Sequence, residues 1–233
     1  EYYDRCKQIL ADVEAADGIA DAMQAVPRGV LRVTAPSSFG SHGLMAALPD
    51  YFARYPEVGI DLSLDDRVVD LVEDRFEVAI RIGALPDSNL VARPLADYRS
   101  VVCASPAYLA RHGVPRNLAD LSAHDCLGFS HWKIRDEWHL DGPQGRETVR
   151  VHGRFQANSG QALRMAALLG LGIVMQPEVL LAEDLAAGRL VQVLPGYATY
   201  ARPMHVVYPA DRYSRPKLRS FVDFVVERFG RVT

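Results

Sequence analysis

Cysteine is scarce in this sequence of 233 residues. Its three cysteines, Cys6, Cys103 and Cys126, stand far apart and form no CxxC pair. Zinc sites and dense disulfide frameworks need closely patterned cysteines, so neither is expected here. We expect free, buried thiols in a reducing cytoplasm.

Long apolar runs and an excess of positive charge are also missing. No apolar run approaches the roughly 20 residues of a membrane-spanning helix, so no membrane partner is expected. The formal net charge is -3, which describes a surface that on average repels a phosphate backbone. We therefore expect no nucleic-acid-reading module within this chain.

The motifs of common enzymes and cofactor-binding proteins do not occur. The seven histidines form no HExxH pair, and the sequence has neither a GxSxG nor a GxxxxGK[ST] string. Gly170-Leu171-Gly172 lacks the third glycine of a dinucleotide fingerprint. We therefore predict a protein that is not an enzyme and has no cofactor or metal site.

Strand and helix patterns alternate along the first third of the chain. Strands are predicted at Val30–Ala35, Val58–Leu64 and Val78–Ile82, with a helix carrying Leu44 to Tyr55 and a short helix at Val68–Phe76 between them. This β-α-β order predicts an α/β fold with a parallel sheet.

In the rest of the chain, the alternation of strands and helices is interrupted by a hairpin pattern and then resumes. Two strands joined by a polar turn, at residues 137–140 and 147–155, predict a hairpin. The other predicted strands are Ser100–Ala104, Cys126–Phe129, Ile173–Met175 and Met204–Tyr208, and the predicted helices are Pro106–His112, 160–169, 177–188 and 218–229.

The opening segment has a narrow apolar seam. Its apolar residues recur at alternating steps of four and three, which predicts a helix that pairs with another helix and ends at Pro27. An amphipathic helix packed on its own domain is the alternative. The seam consists of Tyr2, Cys6, Ile9, Val13, Ala16, Ala20 and Met23.

Two small polar turns introduce helices, Ser37-Ser38-Phe39-Gly40-Ser41 and Asn158-Ser159-Gly160. Backbone N–H groups at such helix starts bind carboxylates and similar anions, and in open α/β sheets they lie where ligands bind. Phe129 to Trp132 offers an aromatic wall after another strand. The pattern indicates a binding crevice, although an ordinary helix cap is the alternative for each turn.

Several strings resemble the effector domain of LysR-type transcriptional regulators. They follow one another in the order and spacing of that family and cover nearly the whole chain from Gly29. The strings are GVLRVTAP at 29–36, VDLVE at 69–73, VAIRIG at 78–83, LVARPL at 90–95, ASPAYL at 104–109 and GLGIVMQP at 170–177.

The resemblance implies two Rossmann-like lobes of the type II periplasmic-binding-protein kind, joined by strands that cross near Leu95–Val102 and Ala201–Tyr208. Lobe I is expected at 29–98 and 204–233, lobe II at 99–203, and a linker (dimerisation) helix at 1–27. The chain does not begin with Met. We expect that a winged helix-turn-helix preceding the linker is missing from it.

The resemblance also implies an effector pocket between the lobes and a set of partners. We expect a small organic effector, and the N–H groups at the two helix starts favour an anionic one. The resemblance implies a homodimer or homotetramer in the cytoplasm that contacts DNA through the missing winged helix-turn-helix. From lobe I the pocket takes Ser37, Ser38, Phe39, Asp66, Arg81 and Gly83, and from lobe II it takes Phe129, His131, Trp132, Asn158, Ser159, Gln176 and Pro177.

Two other functions fit the same fold. An extracytoplasmic solute-binding protein needs only the crevice, and an enzyme needs an acid-base pair within it. The seam before Pro27 argues against the first, and no nominated pair supports the second. The coding sequence upstream of Glu1 distinguishes these alternatives.

Overall fold

The computed structural model describes residues 26–67, 69–71, 73–85, 88–130, 136–143 and 145–230. The heptad seam lies outside the described residues, and so do His131 and Trp132. The predicted pairing of the opening helix therefore stays a prediction.

Strands and helices alternate through much of the described chain. The strands are β1 Gly29–Ala35, β2 Val58–Leu64, β3 Val78–Ile82, β4 Leu90–Pro94, β5 Ser100–Ala104, β6 Cys126–Phe129, β7 Glu137–Gly142, β8 Gly145–Arg150, β9 Gln156–Ala157, β10 Ile173–Pro177, β11 Val191–Gln192, β12 Ala198–Thr199 and β13 Met204–Pro209. The α-helices are α1, made of Ser37–Phe39 and Met45–Arg54 with a π-helical segment Gly40–Leu44 between them, α2 Pro106–His112, α3 Gly160–Leu168, α4 Glu178–Ala186 and α5 Pro216–Phe229. Short 3₁₀ helices occupy Leu118–Ala123 and Ala210–Arg212.

The first lobe is built on a five-stranded sheet in the order β2-β1-β3-β13-β4. β1 runs parallel to β2 and β3, whereas β13 runs antiparallel to β3 and β4. Helices α1 and α5 bury their apolar faces against this sheet, and Tyr51 and Phe221 lie at the centre of their contact, both fully buried.

The second lobe contains a five-stranded sheet in the order β11-β5-β10-β6-β9 and a three-stranded sheet in the order β12-β7-β8. Trp138 and Leu140 alternate with exposed or half-buried residues on β7, so one face of the small sheet covers the lobe's core. On α3 and α4, Leu163, Leu180 and Leu181 pack into a further apolar cluster.

Two chain segments cross side by side between the lobes. The Tyr98 N–H donates to the Arg202 carbonyl at 2.8 Å, and the Arg202 N–H donates to the Tyr98 carbonyl at 2.9 Å. The α/β fold with crossing segments is confirmed. The predicted lobe boundaries, at 98/99 and 203/204, stay a prediction.

Some sequence expectations were wrong. The described residues from 69 to 76 form turns instead of a helix, because Arg75 has the left-handed φ of 60° and the Asp70 carboxylate accepts the Glu73 N–H. The second strand of the hairpin ends at Arg150, short of residue 155. The large sheets are mixed because β13 and β5 run antiparallel to their neighbours.

No helix within the described ranges is long and apolar enough to cross a membrane.

A buried histidine in the second lobe predicts a pH-dependent stability. The Asp125 N–H donates to the Tyr108 hydroxyl at 3.0 Å, and this hydroxyl shares a hydrogen bond of 3.2 Å with His124 Nδ1. Burial lowers the pKa of His124, and nearby His112 lowers it further. His124 therefore binds a proton more readily in the unfolded chain than in the folded chain. The free energy of unfolding falls as the pH falls through about 6.5, the pKa of an unfolded histidine.

We expect the Tm of the protein to fall between about pH 7.5 and about pH 5.5, and His124→Asn to reduce this dependence. Thermal unfolding followed by circular dichroism measures both. His152→Asn is the control because His152 is exposed. Parallel curves for the protein and His124→Asn would contradict the prediction.

Candidate functional site

The start of α1 lies against the loop that follows β2. The Ser37 N–H donates to the Asp66 carboxylate at 3.0 Å. The sequence predicted that an anion binds at this helix start, and in the structure the Asp66 carboxylate of the protein itself takes that place. This N–H group is not free for a ligand in the observed arrangement, although Ser37 and Asp66 do lie together, as the sequence analysis expected.

Ser38 contacts the second lobe directly. A Cβ atom at Gly160 would lie 2.9 Å from the Ser38 hydroxyl oxygen and 2.8 Å from Oε1 of Gln176, which is buried. Only a residue without a side chain fits there unless one of these groups moves. The two polar turns predicted from the sequence therefore meet, and Gln176 lies beside them.

The Ser159 hydroxyl caps α3, because it accepts the Ala162 N–H at 3.3 Å. The sequence offered a helix cap as the alternative to ligand binding, and the structure shows that cap. Asn158 is exposed beside it.

Two residues that sequence analysis missed, Tyr98 and Arg202, complete the polar cluster. Burial raises the pKa of Tyr98 and Asp66 adds to this effect, while Arg202 and Ser38 act in the opposite direction. The Tyr98 hydroxyl oxygen is buried, and no described residue offers it a hydrogen bond of good geometry. A ligand atom would be able to fill that role.

The Arg202 guanidinium is the positive charge of this cluster. Partial burial of the Arg202 side chain lowers its pKa, although the residue is also partly exposed. Tyr98 and Asp66 act in the opposite direction on that pKa. Its Nη2 donates to the Ile82 carbonyl at 3.1 Å and lies 3.1 Å from the place that a Cβ at Gly83 would take. Gly83 has a left-handed φ of 105°, a second reason for glycine there.

Arg81, which the sequence analysis placed in the pocket, has another contact. Its Nη2 donates to the Val69 carbonyl at 2.9 Å. Burial lowers the pKa of Arg81, and the Asp70 carboxylate opposes that effect. A direct role of Arg81 in binding stays a prediction, and Arg202 is the guanidinium that lies near Asp66 and Tyr98.

Phe39, Phe129 and Pro177 are three further predicted residues in the part of the chain that the structure describes. Phe39 buries its ring against Phe229, with ring centroids 5.1 Å apart. Phe129 packs on the apolar core of the second lobe, and Pro177 ends β10 next to Gln176. The sequence held no motif for Tyr98 or Arg202; the only signal was that each lies within a segment expected to cross.

Within the described ranges, no group of three or more His, Cys, Asp or Glu side chains is arranged to hold a metal ion.

Comparison with known proteins finds one family and several regulators that belong to it. The family model described as "LysR substrate binding domain" matches residues 24–230. The regulator CrgA of Neisseria meningitidis is 35% identical over 231 residues, covering 99% of this chain and 77% of that protein. The Escherichia coli regulator DmlR is 35% identical over 233 residues, covering 98% of this chain and 74% of DmlR.

Solved structures agree in fold. The CrgA regulatory domain superimposes with a TM-score of 0.81 at 36% identity, covering 88% of this chain and 100% of that domain. Full-length AphB of Vibrio cholerae has a TM-score of 0.78 at 29% identity, covering 97% of this chain and 77% of AphB. With a family model that matches most of its length and relatives of this similarity, the chain belongs to the LysR family and is the effector-binding domain of a LysR-type transcriptional regulator.

Proposed function

We propose that this domain senses a small anionic organic effector that binds between its lobes, at the cluster of Ser38, Tyr98, Gln176 and Arg202. The observation that carries the proposal is the buried Tyr98 hydroxyl, which lies near Ser38 but has no hydrogen bond of good geometry among the described residues, in a place where polar groups of both lobes converge. Buried polar groups are normally hydrogen-bonded. A buried hydroxyl without a well-placed partner, at a junction between lobes, therefore favours the interpretation that a ligand binds there.

The charges near the cluster favour an anionic group on the effector. Asp66 accepts the Ser37 N–H, while the Arg202 guanidinium donates to a neutral group, the Ile82 carbonyl. A guanidinium binds a carboxylate through two parallel hydrogen bonds, and the start of α3 adds further N–H groups. In this proposal Arg202 and α3 hold the anion, in place of the start of α1. The other predicted pocket residues, Arg81 among them, remain candidates for the body of the effector.

The tight contact between Ser38 and Gly160 supports a switching role. An effector placed there has to separate these residues, so it favours a different lobe arrangement from the observed one. A ligand shifts a conformational equilibrium by its difference in affinity for the two states. The shift would be passed through the linker helix to the DNA-binding domain.

The role we propose is binding rather than catalysis, in the cytoplasm where the DNA is. The relatives are named as transcriptional regulators. The raised pKa of Tyr98 keeps its hydroxyl protonated, which suits a hydrogen-bond donor better than a general base.

We also propose that the regulator is a homodimer or homotetramer that reaches DNA only through its winged helix-turn-helix. Large apolar side chains are exposed on one helix of each lobe, Met45 and Phe52 on α1 and Met165 on α3, with Leu169 just after α3. Exposed apolar patches on soluble proteins commonly mark protein contacts. Together with the predicted seam before Pro27, they supply surfaces for self-association.

The effector site is tested by comparing Ser38→Val and Arg202→Leu with the unmodified domain. An inducer is first identified by promoter-response screening of the intact regulator, and its Kd is then measured by calorimetry. Loss of a hydrogen bond to a charged group costs about 1.5–3 kcal/mol, so we expect each variant to bind about 10- to 100-fold more weakly.

Ser41→Val is the matched control. Ser41 lies on the same helix, and its hydroxyl donates to the Ser37 carbonyl. Its replacement introduces the same β-branched side chain without touching the cluster, so the Kd should stay unchanged. An inducer that binds Ser38→Val and Arg202→Leu with the affinity of the unmodified domain would refute this location.

A further inference from the structure

Neighbouring strand ends of the first lobe meet at the start of α1. β1 runs parallel to β2 on one side and to β3 on the other, so the carboxyl ends of these strands lie at the same edge of the sheet. Asp66 follows β2, the start of α1 follows β1, and Gly83 follows β3. Neighbouring strands lie about 5 Å apart, so these three places stand side by side.

The loop that carries Asp66 is tied to β1 and to itself. The Asp65 N–H donates to the Ala35 carbonyl at 3.1 Å, and the Asp65 carboxylate accepts the Arg67 N–H at 2.8 Å. These bonds present Asp66 to the start of α1, where its carboxylate accepts the Ser37 N–H at 3.0 Å. The negative charge at this helix start is therefore part of the fold.

Charges of opposite sign lie at the ends of the two strands that flank β1. The Arg202 guanidinium donates to the Ile82 carbonyl at the end of β3, whereas Asp66 lies after the end of β2. Two strand spacings, roughly 10 Å, separate these places. Burial lowers the pKa of Arg202, and Tyr98 and Asp66 raise it, so the carboxylate is close enough to act on the guanidinium.

We propose that Asp66 determines the charge of the effector, so that the pocket takes a monocarboxylate and disfavours a dicarboxylate. This inference rests on the proposed function, in which Arg202 and the start of α3 hold one anionic group. A second anionic group directed towards the start of α1 meets the Asp66 carboxylate, which already accepts the Ser37 N–H. Like charges roughly 8 Å apart near a protein surface weaken binding about tenfold.

The two helix starts at this junction therefore differ in what they offer. Both have the N–H groups and the dipole that favour an anion. The protein's own carboxylate neutralises the start of α1, while the start of α3 meets it through the close approach of Gly160 to Ser38. One helix start and one guanidinium then remain for the effector, which matches a single carboxylate.

Probes that share one carbon chain and differ in charge test the proposal on the whole chain. Succinate, monomethyl succinate and dimethyl succinate carry two, one and no negative charges at about pH 7.5. Calorimetric titration at constant ionic strength should show monomethyl succinate binding about tenfold more tightly than succinate. Succinate binding as tightly as monomethyl succinate, or more tightly, would overturn the proposal.

Asp66→Asn removes the charge and keeps an oxygen that can accept the Ser37 N–H. It should raise the affinity for succinate about tenfold and for monomethyl succinate less than about threefold, and leave dimethyl succinate unchanged. A purely structural role of Asp66 would not produce this dependence on the charge of the probe. No gain for succinate, or weaker binding of it, contradicts the inference.

Asp61→Asn is the matched control. Asp61 is exposed on β2 and pairs with Arg32 at 3.3 Å, so its replacement removes the same charge from the same strand away from the junction. The affinities for the three probes should stay as they are in the unmodified chain. A gain for succinate equal to that of Asp66→Asn would assign the effect to net charge and end the proposal.

Arg202→Leu separates this inference from the proposed function. If it binds monomethyl succinate as tightly as the unmodified chain does, the proposed effector site fails. If it loses monomethyl succinate while Asp66→Asn gains nothing for succinate, the site stands and the role of Asp66 fails. Weaker binding to Arg202→Leu together with the succinate gain in Asp66→Asn supports both.

Discussion

Replacing Tyr51 with alanine is expected to lower the free energy of unfolding by about 4 kcal/mol, because it removes a large buried aromatic ring. Tyr51 is fully buried where α1 meets α5. Its ring centroid lies 5.6 Å from that of Phe221 and 5.2 Å from that of Phe224. Urea denaturation measures the loss.

Tyr51→Phe separates packing from hydrogen bonding. The Tyr51 hydroxyl shares a hydrogen bond of 3.0 Å with Ser220, whose own hydroxyl can still donate to the Lys217 carbonyl. Its removal should cost only about 1 kcal/mol. A loss below about 1 kcal/mol for Tyr51→Ala would show that this contact between the two helices is not a centre of stability.

The second large effect is expected at Asp184, a fully buried carboxylate in the second lobe. Arg164 Nε donates to it at 2.5 Å and Arg189 Nε at 2.7 Å. Burial opposes ionisation, but the two arginines outweigh it and hold the pKa of Asp184 below its ordinary value. Asp184→Ala leaves the mostly buried Arg164 without a counter-charge and should cost about 3 kcal/mol, the lower end for a broken buried pair because Arg189 is half exposed.

Glu183→Ala is the matched control, since Glu183 is exposed on the same helix and its loss should cost less than about 0.5 kcal/mol. The stabilisation by Asp184 is present above the pKa of an unfolded aspartate, about 3.9, and is lost as the pH falls through the lower folded value. The difference between Asp184→Ala and the unmodified protein should therefore shrink in strong acid. A constant difference would assign the effect to packing alone.

Local patterns were sufficient for most elements of the fold. Alternation of apolar and polar residues identified β2, short apolar runs identified β1, β3 and β10, and the spacing of Leu218, Phe221 and Val225 identified α5, because each pattern depends on residues that are near in sequence. The exceptions included the turns from 69 to 76 and the short strands β4, β9, β11 and β12. Contacts with distant parts of the chain decide such segments, so their own periodicity is uninformative.

The sequence by itself determined the α/β class, the family and the two polar turns at Ser38 and Ser159, since these depend on the local order of residue types. Only the tertiary structure decided which groups share the junction between the lobes. It placed Asp66 on the Ser37 amide, sent Arg81 to the Val69 carbonyl and brought Tyr98 beside Arg202. The crossing of two segments far apart in the chain brings Tyr98 and Arg202 together. The parallel pairing of β1 with β2 places the loop after β2, with Asp66, beside the start of α1.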